Sequence, residues 1–197
     1  MTISIEKKSK LGRFVKLAGK DNHLHIFMQE LPTVLFKDSD ELVVIPNGDE
    51  SSNFVTENGG IVVAGAGEFE KNGVFVLTMK NRNSDKEFLN MVEVELDGVR
   101  VLYYSATSEV NKDSLGEIGL VDVLLIKVNK DFSNQLKAVS VIDPQVVIPI
   151  FDPTSEEIRE KFKSELGVQF DQEKRFKCRA VDFSNDEYAL QGVEIEG

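Results

Sequence analysis

LDGVRVLYYSATSEVNKDSLGEIGLVDVLLIKV, residues 96 to 128, runs through a tight turn, a strand, a polar stretch and a second strand, and its reading decides the fold. Asp97-Gly98 joins two alternating runs, Met91 to Leu96 and Val99 to Tyr104. Asp-Gly between such runs predicts a β-hairpin, because both central positions of a type I′ turn need positive φ. The polar stretch opens with Ser105-Ala106-Thr107-Ser108, and Asp113 to Ile118 fits a short helix. Val121-Asp122-Val123-Leu124-Leu125-Ile126 is almost continuously apolar, the pattern of a strand buried on both faces.

Upstream, strands dominate. Phe14 to Leu17, His23 to Phe27, Thr33 to Phe36, Leu42 to Ile45, Gly60 to Ala64 and Gly73 to Thr78 are short apolar or alternating runs. Gly, Asp, Asn and Pro separate them. Downstream, Phe132 to Ile142 reads as a helix and Val146 to Phe151 as another buried strand. Thr154 to Leu166 is the clearest helix: Thr154 and Glu157 make a capping box, Gly167 stops it, and Ile158, Phe162 and Leu166 form its buried stripe. Two strands are expected after it, Arg175 to Phe183 and Tyr188 to Ile195. A meander of strands followed by strand–helix–strand–helix predicts two sheets with helices packed outside. With no internal repeat and no low-complexity linker, residues 1–197 read as a single domain.

The formal net charge of -11 argues against nucleic acid and anionic membrane surfaces as partners. The basic groups Lys7-Lys8-Lys10 and Lys174-Arg175-Lys177-Arg179 do not offset it; the second reads as the solvent face of a strand. Cys178 is the one cysteine, so no intrachain disulfide forms, and a reducing cytoplasm is the expected compartment. The start, MTISIEKKSK, lacks an apolar targeting core, and no apolar run approaches membrane-spanning length.

The strand at Leu42 to Ile45 breaks off into IPNGDESSN, residues 45 to 53, where an α/β enzyme often places its chemistry. Further on, Gly65-Ala66-Gly67-Glu68-Phe69-Glu70-Lys71-Asn72-Gly73-Val74 resembles the GPGEYExxGV segment of a branch of the metallo-β-lactamase-fold hydrolases, related to the ascorbate-phosphate lactonases. Residues 96–128 resemble that branch's hairpin, aspartate loop, short helix and buried strand. DPQVVIPIFDPT, residues 143–154, resembles the strand that ends in its last metal-binding histidine. The resemblance covers roughly residues 10 to 195 and implies a four-layer αββα sandwich.

The resemblance also implies where metal ligands belong. The family's HxHxDH motif falls on Pro46, Asn47, Gly48, Asp49, Glu50 and Ser51, so Pro46, Gly48 and Ser51 take the histidine places and Glu50 the aspartate place. The bridging aspartate falls near Ala106 and the final histidine at Phe151. Zinc needs about four N, S or O donors at ~2.0–2.3 Å, and Pro, Gly, Ala and Phe side chains supply none. Glu50 and Ser51, with Asp49 or Asp152, make at most a weak oxygen site for a hard cation. The expected site is therefore a vestigial cleft with no catalytic residue, no metal and no cofactor, formed by residues 46 to 51, Ala106, Phe151 and Asp152. Phe151 is expected to fill volume a metal centre would have taken.

Other candidates weigh less. His23 and His25 share a strand face and offer two corners of a zinc site, but ordinary strand-face roles are commoner. Gly65-Ala66-Gly67 lacks the Lys-Ser/Thr of a phosphate loop and reads as a tight turn; Glu68 and Glu70 share a side and read as solvated or ion-paired. Ser105, Thr107 and Ser108 have no histidine partner for nucleophilic catalysis. Cys178 reads as a free buried thiol. Asp49, Glu50 and Asp152 could do acid–base work, though a solvated rim is the commoner outcome. The functional expectation is a degenerate, non-enzymatic protein that binds a protein partner, a second copy or a small ligand. The alternative is a residual or repurposed metal-dependent hydrolase of a phosphate ester or lactone.

Overall fold

The computed structural model describes residues 1–8, 12–28, 42–46, 54–55, 61–79, 91–105, 118–151, 156–184 and 188–196. Its first sheet contains β1 (Thr2–Lys8), β2 (Gly12–Ala18), β3 (His23–Phe27), β4 (Leu42–Val44), β5 (Phe54–Val55) and β6 (Ile61–Val63). The second contains β7 (Gly67–Lys71), β8 (Val74–Met79), β9 (Met91–Leu96), β10 (Val99–Tyr104), β11 (Val123–Lys127) and β12 (Val146–Ile150). Of the remaining strands, β13 (Phe170–Glu173) and β15 (Gln191–Ile195) join the second sheet and β14 (Phe176–Lys177) the first. The sheet orders are β14-β1-β2-β3-β4-β6-β5 and β13-β15-β12-β11-β10-β9-β8-β7.

Alternation stacks the sheets. Ile3, Ile5, Val15, Leu17, Leu24, Ile26, Leu42 and Val44 of the first sheet meet Val76, Val94, Val101, Tyr103, Val123, Leu125, Ile148 and Val193 of the second in one buried cluster. Each such aliphatic side chain stabilises the fold by about 1.5–3 kcal/mol when it leaves water. The opposite parity of the second sheet, with Leu102, Leu124 and Val147, packs against helices α1 (Ser133–Ile142) and α2 (Glu156–Leu166). Strands β10, β11 and β12 therefore have cover on both faces, which is why β11 and β12 read as continuous apolar runs. On the first sheet's other face, Phe14, Phe27, Val43, Ile45, Val62 and Ala64 form a third buried cluster, while the two described α-helices both pack on the second sheet. Two stacked mixed sheets with helices on the outer face of the second agree with the sandwich that the family resemblance implies.

Several local expectations meet their geometry directly. Asp97 and Gly98 have φ of 54° and 72°, the two positive values of a type I′ turn between β9 and β10. Helix α2 buries Phe162 and half-buries Ile158 and Leu166, and Gly167 ends it at φ 73°. Its cap at Thr154, the strand expected at Thr33 to Phe36 and most of the short helix at Asp113 to Ile118 lie outside the described residues. Gly65 and Ala66 do form a tight bend. The Thr78 hydroxyl lies 2.7 Å from the Gly65 carbonyl and donates to it.

The C-terminal region departs from expectation. Arg175 to Phe183 is not one strand: β14 spans only Phe176–Lys177, and Ala180–Phe183 is a turn of 3-10 helix. Asp182 accepts hydrogen bonds from the Arg179 backbone N–H at 2.8 Å and its guanidinium at 3.0 Å, which wraps the chain locally and removes it from the ladder. The last strand starts at Gln191 rather than Tyr188. The Tyr188 hydroxyl donates to the Asp143 carbonyl at 2.8 Å, outside any ladder. Strand β13 was not expected, because only Phe170 of its four residues is apolar. The four basic residues 174, 175, 177 and 179 are exposed, but only Lys177 lies on a strand.

Candidate functional site

Strands β10, β11, β12 and β15 run parallel, so their carboxyl ends gather at one edge of the second sheet. Parallel β3, β4 and β6 likewise end together in the first, beside the start of antiparallel β2. Arg13, second residue of β2, has the parity of Val15 and Leu17 and so points between the sheets. Its guanidinium crosses to donate to the Phe151 carbonyl just past β12. This hydrogen bond ties the two strand-end edges together.

Of the nine positions expected to form the vestigial cleft, the described residues include Pro46 and Phe151. Asn47, Gly48, Asp49, Glu50, Ser51, Ala106 and Asp152 lie outside them. Pro46 is buried immediately after β4, where the Ile45 N–H donates to the Val63 carbonyl at 2.8 Å. Phe151 is only 4% exposed. Strand parity sends its ring to the helical side of the second sheet, where it meets Phe162 edge-on at 5.9 Å between centroids. The Arg159 guanidinium stands 5.4 Å above the same ring, a cation–π contact.

A polar cavity of about 310 Å³ opens beside Phe151, lined by Arg13, Pro149, Phe151, Arg159, Gln172, Glu194, Ile195 and Glu196. Glu194 anchors it. Val193 and Ile195 face the inter-sheet core, so Glu194 faces α2. There it pairs with Arg159 at 2.9 Å and Lys163 at 2.5 Å, one helical turn apart on α2. It also accepts from the Gln172 amide, its direct partner across the β13–β15 pairing, at 2.6 Å. Burial alone would push the Glu194 carboxyl up. Hydrogen bonds from Lys163 and Gln172, with the Lys163 and Arg159 charges, outweigh it and hold the carboxyl below its ordinary value. No sequence motif marks these residues. The available signal was the basic i, i+4 pair Arg159–Lys163 flanking the buried stripe of α2.

His23 and His25 do share a face, with ring centroids 5.2 Å apart, and His25 also meets Phe14 edge-on at 5.2 Å. That is the outer face of the first sheet, away from its strand ends. Among the described residues no three His, Cys, Asp or Glu side chains gather as a metal site would need. Glu68 and Glu70 both face solvent from β7. Ser105 lies just past β10, and its side chain hydrogen-bonds with that of buried Tyr103. Cys178 is a buried free thiol whose pKa burial pushes up to about 11. Among the described residues no helix is long and apolar enough to cross a membrane.

Neither a protein-family model nor a curated protein matches the chain. Solved structures do. A candidate Zn-dependent hydrolase of the metallo-β-lactamase superfamily from Thermotoga maritima aligns with a TM-score of 0.71 and 14% identity, over 99% of each chain. The metallo-β-lactamase-fold protein YhfI of Bacillus subtilis aligns at 0.55 and 9%, over 99% of this chain and 96% of its own. The diiron β-hydroxylase CmlA of Streptomyces venezuelae aligns at 0.57 and 7%, over 98% of this chain and 53% of its own. At such identities the likeness establishes the metallo-β-lactamase fold and carries no activity with it.

Proposed function

We propose that this metallo-β-lactamase-fold chain is a catalytically degenerate member that acts by binding, with a protein partner, a second copy or a small ligand as the bound species. The observation that carries the reading is Phe151. It stands where the family resemblance puts a metal-binding histidine, offers no donor, and is packed between Phe162 and Arg159. Pro46, also described, offers none either. That donor set does not fit zinc. The charge of -11 supports partners other than nucleic acid, and the single cysteine, held as a buried thiol, suits a reducing cytoplasm. The test is a crystal structure grown with excess Zn or Mn, paired with a phosphodiesterase and esterase screen. The reading expects no coordinated ion among residues 46 to 51, Ala106, Phe151 and Asp152, and no turnover. A well-occupied ion with proper ligand distances, or hydrolysis abolished by chelation, would establish the repurposed hydrolase instead.

A further inference from the structure

We infer that the chain associates head to tail with a second copy of itself, the outer edge of β7 in one copy pairing antiparallel with the outer edge of β14 in the next. Strand β7 ends the second sheet and β14 ends the first. An unpaired strand edge presents N–H and C=O groups that another strand can take up. The ladders fix which groups point outward. Asn72 and Gly73 have φ of 52° and 75° and close a two-residue hairpin, with Lys71 opposite Val74. The pair beside such a turn is hydrogen-bonded, so Gly67, Phe69 and Lys71 bond to β8, and Glu68 and Glu70 direct their backbone groups outward. At the other edge, the Cys178 N–H donates to the Met1 carbonyl at 3.1 Å, and the Met1 amine donates to the Cys178 carbonyl at 2.8 Å. Lys177, one residue back, therefore directs its backbone groups away from β1.

Side chains match in the register the backbone favours. Antiparallel pairing with Glu68 opposite Lys177 puts Phe69 opposite Phe176 and Glu70 opposite Arg175. Glu68, Glu70, Arg175 and Lys177 are all exposed, and none has an ion pair among the described residues. Phe69 and Phe176 are each partly buried against the inter-sheet core of their own copy. Pairing extends that apolar layer from one copy into the next and gathers the four charges on the other face. Lys71 opposite Lys174 is the one like-charged pair, and it falls at the end of the register. The same charges exclude like-with-like pairing. Two β7 strands centred on Phe69 would oppose Glu68 to Glu70, and two β14 strands centred on Phe176 would oppose Arg175 to Lys177. A heterologous contact follows, which builds a ring if its rotation closes and a filament if it does not. The net charge of -11 repels copies at a distance, but salt at about 0.15 M screens it beyond about 8 Å. This inference rests on the binding reading above and names its bound species as a second copy.

The test is sedimentation velocity of the full chain at physiological salt across the micromolar range. The wild type should grow beyond the 22.0 kDa protomer as concentration rises. Two charge-reversed variants are compared with it, Glu68→Lys with Glu70→Lys, and Arg175→Glu with Lys177→Glu. Each makes both of its own edges the same sign, so each should weaken self-association by about tenfold or more. An equimolar mixture of the two restores opposite charges at every contact and should regain the wild-type mass. A wild type that stays one protomer overturns the interface, as does either variant assembling like the wild type or a mixture that fails to recover. If a double variant does not fold, Glu68→Lys alone mixed with Lys177→Glu alone tests the same contact. A wild type that stays one protomer leaves the degenerate-cleft reading standing with another bound species. A coordinated ion or turnover in the cleft overturns that reading and leaves charge-swap recovery unaffected.

Discussion

At the scale of single residues, two side chains determine what the strand-end edge can do. Phe151 has no lone pair to offer, and its ring is committed to Phe162 and Arg159. Phe151→His therefore places one donor where zinc needs about four, and should produce neither zinc binding nor hydrolysis. Metal analysis of the purified variant together with the esterase screen checks this. Glu194 carries the electrostatics. Its folded pKa lies below the ordinary value, so the stability it contributes is present above about pH 4.5 and is lost as pH falls through the lower folded value. Glu194→Gln should lower stability at pH 7 by about 1.5–3 kcal/mol, since Arg159 and Lys163 lose a charged acceptor. It should also flatten the acid limb of the stability–pH curve. Urea melts from pH 3 to 8 would show a parallel, unflattened limb if Glu194 were not the group responsible.

At the scale of elements, turn chemistry is where local sequence exerts most control. Helix α2 ends because Gly167 takes φ 73°, and a Cβ there would meet nothing within 4 Å. The cost of Gly167→Ala is therefore backbone strain with no clash, about 1–2 kcal/mol, read as a lower urea midpoint at unchanged slope. The Asp97-Gly98 hairpin was equally legible, since few residue pairs accept two positive φ values in succession. Strand β13 was not legible. Asp171, Gln172 and Glu173 are exposed, and the segment is a strand because its backbone pairs with β15. Arg179–Asp182 likewise redirected the chain from a predicted strand into a 3-10 turn.

At the scale of the whole molecule, the proposed binding role makes two expectations concrete. If no metal supports the fold, EDTA should leave the melting temperature unchanged; a drop of several degrees would expose a missed site, with His23 and His25 the first to examine. If self-association is the retained role, light scattering at micromolar concentration should report a multiple of the 22.0 kDa protomer. A mass of one protomer across that range would remove a second copy from the candidate partners.

The sequence by itself determined the period-2 strands, the I′ hairpin, the two both-face-buried strands β11 and β12, and the helices over them. Each of these is written in residues adjacent along the chain, where parity and φ preference act directly. The proposal of a donor-poor cleft at Pro46 and Phe151 rests on the family resemblance read from the sequence. Only the tertiary structure decided that Arg13 reaches Phe151 across 138 positions of sequence, and that Glu194 is a buried anchor. Glu194 in Val193-Glu194-Ile195 has the alternation of an ordinary solvent-facing strand residue. Its burial comes from α2 lying over that face and bringing Arg159 and Lys163 with it. Stacking of layers sets such contacts, and periodicity within one strand holds no record of what will lie above it.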